Sequence, residues 1–114
     1  MRWVLKSKIH KATVTDVKLD YVGSIGIDKA LMEKVDLWPG EKVLVVDITN
    51  GARLETYVIE EEKNSGKIGI YGAACHLIKK GDKIIIMGFV LSKKPIKPKV
   101  ILVDKNNRFV KFLS

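Results

Sequence analysis

Residues 42 to 59 read Lys42-Val43-Leu44-Val45-Val46-Asp47-Ile48-Thr49-Asn50-Gly51-Ala52-Arg53-Leu54-Glu55-Thr56-Tyr57-Val58-Ile59. Two strand-like runs, Lys42–Thr49 and Arg53–Ile59, flank Asn50-Gly51. Asn-Gly between such runs is the strongest short-range hairpin signal, because a type I′ turn needs positive φ at both central residues. The same texture continues outward. Strands are expected at Lys11–Leu19, Lys67–Tyr71, Lys83–Leu91, Val100–Asp104 and Arg108–Leu113, with Lys105-Asn106-Asn107 turning between the last two. One helix is expected over Asp28–Val35, with Asp28 as N-cap and Ala30, Leu31, Lys34 and Val35 along one side. Gly72–Ile78 suits a short helical turn. Ser92–Lys99 is polar, basic and holds two of the three prolines, which marks a surface connection. Many short strands with one or two helical turns indicate a small β-barrel or a sandwich, and periodicity does not choose between them.

Composition narrows the class. The chain has 114 residues, the length of one domain, with 46% hydrophobic residues, nine Gly and three Pro, which excludes disorder. A single cysteine, Cys75, excludes an internal disulfide and a Cys-based zinc site. The longest apolar runs, Val43–Val46 and Ile84–Val90, are too short to span a bilayer, and charge at Arg2 and Lys6 comes too early for a signal peptide. A soluble cytoplasmic protein with no membrane partner is expected. Lys and Arg number 21 against 13 Asp and Glu, a formal charge of +8. Such a balance attracts anions, whether nucleic acid or a small acidic metabolite, unless it is only a solvated lysine surface.

Generic catalytic motifs are missing: there is no phosphate-binding loop, dinucleotide fingerprint, HExxH or CxxC. His10 and His76 lie far apart with no third ligand, so no metal is expected. Cys75 and His76 would point to opposite faces of a strand, which argues against a thiolate–imidazole couple. Four local features remain: Lys8-Ile9-His10; Tyr21-Val22-Gly23-Ser24 leading to Ile27-Asp28; Thr49-Asn50-Gly51-Ala52-Arg53-Leu54-Glu55-Thr56-Tyr57; and Gly72-Ala73-Ala74. Taken singly they read as a surface lysine beside a half-buried histidine, a turn, a hairpin and a close backbone contact.

Order and spacing say more. Lys8-x-His10, Tyr21-x-Gly23-Ser24, Thr49-Asn50-Gly51-x-Arg53-x-x-Thr56-Tyr57, Gly72-Ala73-Ala74-x-His76 and then Gly81-Asp82 closely resemble the pyruvoyl-dependent aspartate 1-decarboxylases. The likeness runs through residues 1–91 without a gap, and the tail after Leu91 matches poorly. It implies a six-stranded double-psi β-barrel with short helices, assembled as a homotetramer with active sites between neighbouring subunits. It implies one domain, 1–114, that cuts itself between Gly23 and Ser24 into a β-chain of residues 1–23 and an α-chain of residues 24–114. Glycine at 23 would permit close approach to the scissile carbonyl. Ser24 would become a pyruvoyl group, the sole cofactor, with neither pyridoxal phosphate nor metal. Its ketone would form a Schiff base with L-aspartate and drain electrons as the α-carboxylate leaves, giving β-alanine for pantothenate synthesis.

The same likeness carries roles onto residues. Lys8 and Arg53 are implied as substrate-binding cations, Tyr57 as the proton donor to the carbanion, and Thr56, Gly72, Ala73 and Ala74 as substrate contacts. His10 and Tyr21 fall near the site. Alternation along 53–59 puts Arg53, Glu55 and Tyr57 on one face and Thr56 on the other, so Thr56 needs a bulge or another subunit's site. One departure stands out: Tyr71 occupies the place where the family commonly has an asparagine. Two rival readings are a basic barrel that binds nucleic acid, disfavoured by the lack of an aromatic stripe, and an uncleaved, non-catalytic relative. Whether a maturation partner is required is left open.

Overall fold

The computed structural model describes residues 1–114, and strands carry most of its ordered backbone: β1 (Arg2–Thr13), β2 (Asp16–Lys18), β3 (Ser24–Asp28), β4 (Lys42–Asp47), β5 (Arg53–Glu61), β6 (Ile68–Tyr71), β7 (Lys83–Ser92), β8 (Lys99–Val103) and β9 (Phe109–Phe112). One helix, α1 (Lys29–Val35), follows β3, and a single 3-10 turn, Gly72–His76, follows β6. The protein is therefore mainly β with short helices, as expected. Hydrogen bonding orders the strands β2-β6-β3-β5-β4-β7-β1-β8-β9. The pairs β1–β8, β2–β6 and β3–β5 are parallel and the rest antiparallel.

The first strand differs most from the sequence reading. It starts at Arg2 rather than Lys11, and it breaks before Leu19. Arg2–Thr13 pairs along β7, with a bulge between Ile9 and Ala12 where Lys11 takes φ 65°. Beyond Thr13 the backbone changes partners: Val14 N–H donates to Asp82 O at 3.0 Å, and Thr15 N–H donates to Ile68 O at 2.9 Å. The Thr15 hydroxyl also accepts from Ile68 N–H at 2.9 Å. This bend carries the chain from β7 to β6, beside which β2 then lies. Partners some 50 to 70 residues downstream decide it, so no local pattern could reveal it.

The 42–59 hairpin forms, with Lys42 opposite Tyr57 and Val46 opposite Arg53. Its turn is not the two-residue type I′. Asp47 N–H donates to Ala52 O at 2.9 Å, and Gly51 alone in the loop has positive φ, 76°. The Asp47 carboxylate accepts from Thr49 N–H at 2.8 Å, which ends β4 two residues early and lengthens the loop.

Asp28 caps α1 as expected, accepting from Ala30 N–H at 2.8 Å. The helix buries Leu31, Met32 and Val35, while Lys34 turns outward over the Phe109 ring at 4.4 Å. The Asp28 carboxylate also accepts from Asn64 and Gly66 N–H, both at 2.9 Å, so one buried side chain ties the helix start to the loop before β6. The core is built largely of isoleucine, with Ile9, Ile25, Ile27, Ile68, Ile70, Ile84 and Ile86 fully enclosed. β-Branched side chains suit the pleated surfaces that supply it. β3 is buried along its whole length, as a strand covered on both faces must be. Ser24 is its first residue.

Candidate active site

The bend Tyr21–Gly23 is exposed, and the chain sinks into the protein at Ser24, which keeps 2% of its surface in solvent. Ser24 Oγ is buried with no hydrogen-bond partner. A buried hydroxyl normally finds a partner, because leaving it bare costs about 1–3 kcal/mol. An unpartnered hydroxyl beside the Gly23–Ser24 peptide bond has no hydrogen bond to give up before it acts as a nucleophile.

Three strands set its surroundings. Ser24 pairs directly with Tyr71 on antiparallel β6. On the other side β3 and β5 run parallel with Ile25 opposite Val58, so the preceding residues, Ser24 and Tyr57, are cross-strand neighbours at a strand spacing of about 5 Å. Tyr57 is 40% exposed on the outer face of β5, along with Arg53 and Glu55. A phenol able to give or take a proton therefore stands one strand from the serine.

Gly72 closes the bend from beneath. Its φ is +82°, and a Cβ there would lie 2.6 Å from Gly23 Cα and 2.9 Å from Gly23 N. Both the left-handed backbone and the contact demand glycine. The sequence reading of Gly72-Ala73-Ala74 as a close backbone contact holds at Gly72. At Gly23 a Cβ would meet only Tyr71 O, at an ordinary 3.7 Å, so of these two glycines it is Gly72 whose side chain the packing of the intact chain excludes. Ala73 is exposed and Ala74 packs against the core.

The Tyr71 side chain makes its contacts with Tyr21 and Glu61. Its ring packs against Tyr21 at a tilt of 43°, centroids 5.0 Å apart, and its hydroxyl donates to the Glu61 carboxylate. Burial, the bond to Glu61 and that carboxylate's charge raise the phenol's pKa well above its usual range, so Tyr71 stays protonated and donating. Glu61 was missed in the sequence, since nothing in its local context marks it; only the folded sheet brings it to Tyr71. Lys67 Nζ lies 4.0 Å from the second Glu61 oxygen.

The other expected residues do not gather at Ser24 within the chain. Lys8 on β1 pairs with Met87, Met87 with Leu44, and Leu44 with Glu55. Three strand spacings therefore put Lys8 about 14 Å from β5 along the sheet. Arg53 is four residues from Tyr57 on an extended strand, about 13 Å away. Neither cation joins any of the chain's ion pairs. Lys8, Arg53 and Tyr57 share the outer face of this sheet, where the half-buried Leu44 and Met87 and the exposed Phe89 lie between them. Thr56 is half-buried on the opposite face, as alternation required. His10 Nδ1 is buried without a partner, and burial, followed by the charges of Lys8 and Lys11, lowers its pKa. Cys75 donates its thiol to Ile70 O at 3.1 Å rather than facing His76.

Comparison with known proteins gives a consistent result. Residues 1–110 match the family model of aspartate decarboxylase. The aspartate 1-decarboxylase 1 of Frankia casuarinae is 55% identical over 114 residues, covering 96% of this chain and 74% of that protein. The aspartate 1-decarboxylase of Caldicellulosiruptor saccharolyticus is 54% identical over 112 residues, 95% of this chain and 88% of the relative. That of Thermoanaerobacter pseudethanolicus is 54% identical over 111 residues, 94% and 95% respectively.

Proposed function

The chain belongs to the aspartate decarboxylase family, and from that membership and the geometry at Ser24 we propose that it cuts its own backbone before Ser24 and then decarboxylates L-aspartate to β-alanine and CO2. The observation that carries the reading is the buried, unpartnered Ser24 hydroxyl behind a bend that Gly72 holds in place.

In the maturation step the Ser24 hydroxyl adds to the Gly23 carbonyl carbon and the peptide C–N bond breaks. This leaves an ester on Oγ and a free amine on residue 24. Loss of the Ser24 α-proton expels the Gly23 carboxylate and leaves an alkene conjugated to that nitrogen. Water then replaces the nitrogen, which departs as ammonia, and residue 24 becomes a pyruvoyl group. No outside oxidant is needed, because the elimination supplies the oxidation level of the ketone. The donor set fits such a group: a small residue, enclosed, with no side-chain bond to break.

A pyruvoyl ketone supplies an electrophilic carbonyl that accepts the electron pair released with CO2. The protein's own residues do the rest. Tyr57, one strand from residue 24, holds the proton that the new C–H bond requires. Arg53 and Lys8 supply the two positive charges that a dicarboxylate substrate needs, Arg53 through its planar fork. Gly72, Ala73 and Ala74 offer backbone amides beside the bend, with little side chain in the way, and Thr56 is a further substrate contact.

Distance supports the finer proposal of a homotetramer. With Lys8 and Arg53 each more than a strand's width from Ser24, a neighbouring subunit's cations would complete the site, and the partly apolar outer face between them would be covered by that neighbour. Closure into a six-stranded double-psi barrel belongs to the same reading. The bonds of Thr15 support it, because they join the continuation of β1 to Ile68 at the start of β6. A single 1–114 domain cleaved into residues 1–23 and 24–114, working in the cytoplasm, completes the proposal.

Intact mass under denaturing conditions tests it. Fragments of 23 and 91 residues, the larger lacking the mass of ammonia relative to an N-terminal serine, are expected. β-Alanine formation from aspartate must accompany them. A chain of 114 residues that persists through prolonged warm incubation would overturn the reading.

A further inference from the structure

Two glycines face each other next to Ser24. Gly26 on β3 pairs with Gly69 on β6, one step further into the sheet than the Ile25–Ile70 pair. Side chains from other strands fill the space they leave. A Cβ at Gly26 would overlap the Glu61 carboxylate, and a Cβ at Gly69 would overlap the Tyr71 phenol. Glu61 reaches in from β5, Tyr71 folds back along β6, and the two meet in a hydrogen bond above β3. The result is a strap across the strand that begins with Ser24. It is well enclosed: Tyr71 keeps 8% of its surface, and the Glu61 side chain 14%.

The strap's tyrosine touches the scissile segment on both sides. Upstream of the Gly23–Ser24 bond, the Tyr71 ring packs against the Tyr21 ring in a tilted pair. Downstream, the Tyr71 backbone pairs with Ser24. The residue that follows it, Gly72, lies against Gly23 itself. Lys18, opposite Tyr71 on β2, sets its Nζ 5.6 Å from the centroid of the Tyr21 ring. A free Tyr71 could rotate its ring away and release Tyr21. Bonded to Glu61, it has one orientation.

We propose that Tyr71, fixed by Glu61, is the positioning residue for backbone cleavage in this protein, clamping the Tyr21–Ser24 bend so that the Ser24 hydroxyl faces the Gly23 carbonyl. The inference rests on the self-cleavage reading above. Glu61 touches no reacting atom; it acts through Tyr71. Gly26 and Gly69 are the other half of the device, since any side chain at either would expel the strap.

The test is a time course of cleavage, followed by intact mass, of chains made by cell-free synthesis. Removing a hydrogen bond to a charged acceptor typically costs enough to slow a dependent step by about tenfold or more. Tyr71→Phe, which keeps the ring, and Glu61→Ala should each slow cleavage by about that factor. The double variant should be no slower than either alone, because both remove one interaction. Glu61→Gln retains an acceptor for the phenol and should recover most of the rate. The same substitutions are made in a Ser24→Ala chain, which cannot cut itself, and the melting temperature is read there. Slow cleavage with recovery by Gln and little change in melting supports positioning. Unchanged cleavage in Tyr71→Phe and Glu61→Ala, or slowing that merely follows melting temperature across all variants, overturns it. If the unmodified chain never cleaves, the self-cleavage reading itself falls, which is a separate result.

Discussion

Gly72→Ala is the substitution whose cost the structure fixes most closely. Alanine at φ +82° pays the left-handed penalty, about 1–2 kcal/mol. Its Cβ would also sit 2.6 Å from Gly23 Cα and 2.9 Å from Gly23 N, both backbone atoms that cannot rotate aside. Carbon atoms rest comfortably at about 3.5–4.0 Å. The bend and the 3-10 turn must therefore separate by about 1 Å, an overpacking cost of about 1–3 kcal/mol. The sum, roughly 2–5 kcal/mol, is a large share of the stability of an ordinary domain, about 5–15 kcal/mol. Gly40 is the internal control: its φ is +83°, and a Cβ there meets nothing within 4 Å. Gly40→Ala should thus pay the backbone penalty alone. Both are measured by urea unfolding in a Ser24→Ala chain, so that cleavage does not mix the populations. Gly72→Ala should lose at least about 1 kcal/mol more than Gly40→Ala, and in the cleavable chain it should slow cleavage severely. Equal losses at the two glycines, together with unimpaired cleavage of Gly72→Ala, would refute the claim that Gly72 seats the scissile bend.

Three further outcomes follow from other parts of the fold. Asp28→Ala strands three backbone donors, of Ala30, Asn64 and Gly66, and should cost roughly 3–5 kcal/mol in urea unfolding, with Asp28→Asn losing less; a loss below about 1 kcal/mol would contradict the tie between helix and loop. Asp47 is fully buried, and burial followed by its hydrogen bond to Asp82 raises its pKa from the usual 3.8. Its contribution to stability is therefore complete below pH 3.8 and is lost as the pH rises through the raised folded value. Asp47→Asn, which keeps an acceptor for Thr49 and gives Asp82 a permanent donor, should raise the melting temperature at pH 7 and give no gain at pH 3; a gain of equal size at both would remove the buried acid from the account. Finally, Ser24→Ala and Arg53→Ala chains should each be inactive, whereas their co-expressed mixture should regain about a quarter of the wild-type rate if neighbouring subunits share sites. Activity no greater than that of either parent would place Arg53 and Ser24 in the same subunit's site.

Several local features were legible in the chain. Asn50-Gly51 between β-branched runs specified a hairpin, and Asp28 before Ala30-Leu31 specified a helix start, because turn and cap chemistry are local and are written in a few adjacent residues. Alternation along 53–59 put Arg53 and Tyr57 on one face and Thr56 on the other, and the burial of those residues follows it. The coincidence of Gly23-Ser24, the Thr49–Tyr57 block and Gly72-Ala73-Ala74 carried the family. The remaining features depend on contacts between segments far apart in the chain. The break in the first strand depends on Asp82 and Ile68, whose backbone groups are supplied by distant segments. That the close contact at Gly72 is with Gly23 follows from the approach of two turns that are nearly 50 residues apart in the chain. Glu61 carries no local signal, and its role exists only because β5 and β6 flank β3 and two glycines leave room between them. Local conformational preference can be read along a chain, but which buried groups meet depends on strand order, and strand order is set by the whole core at once.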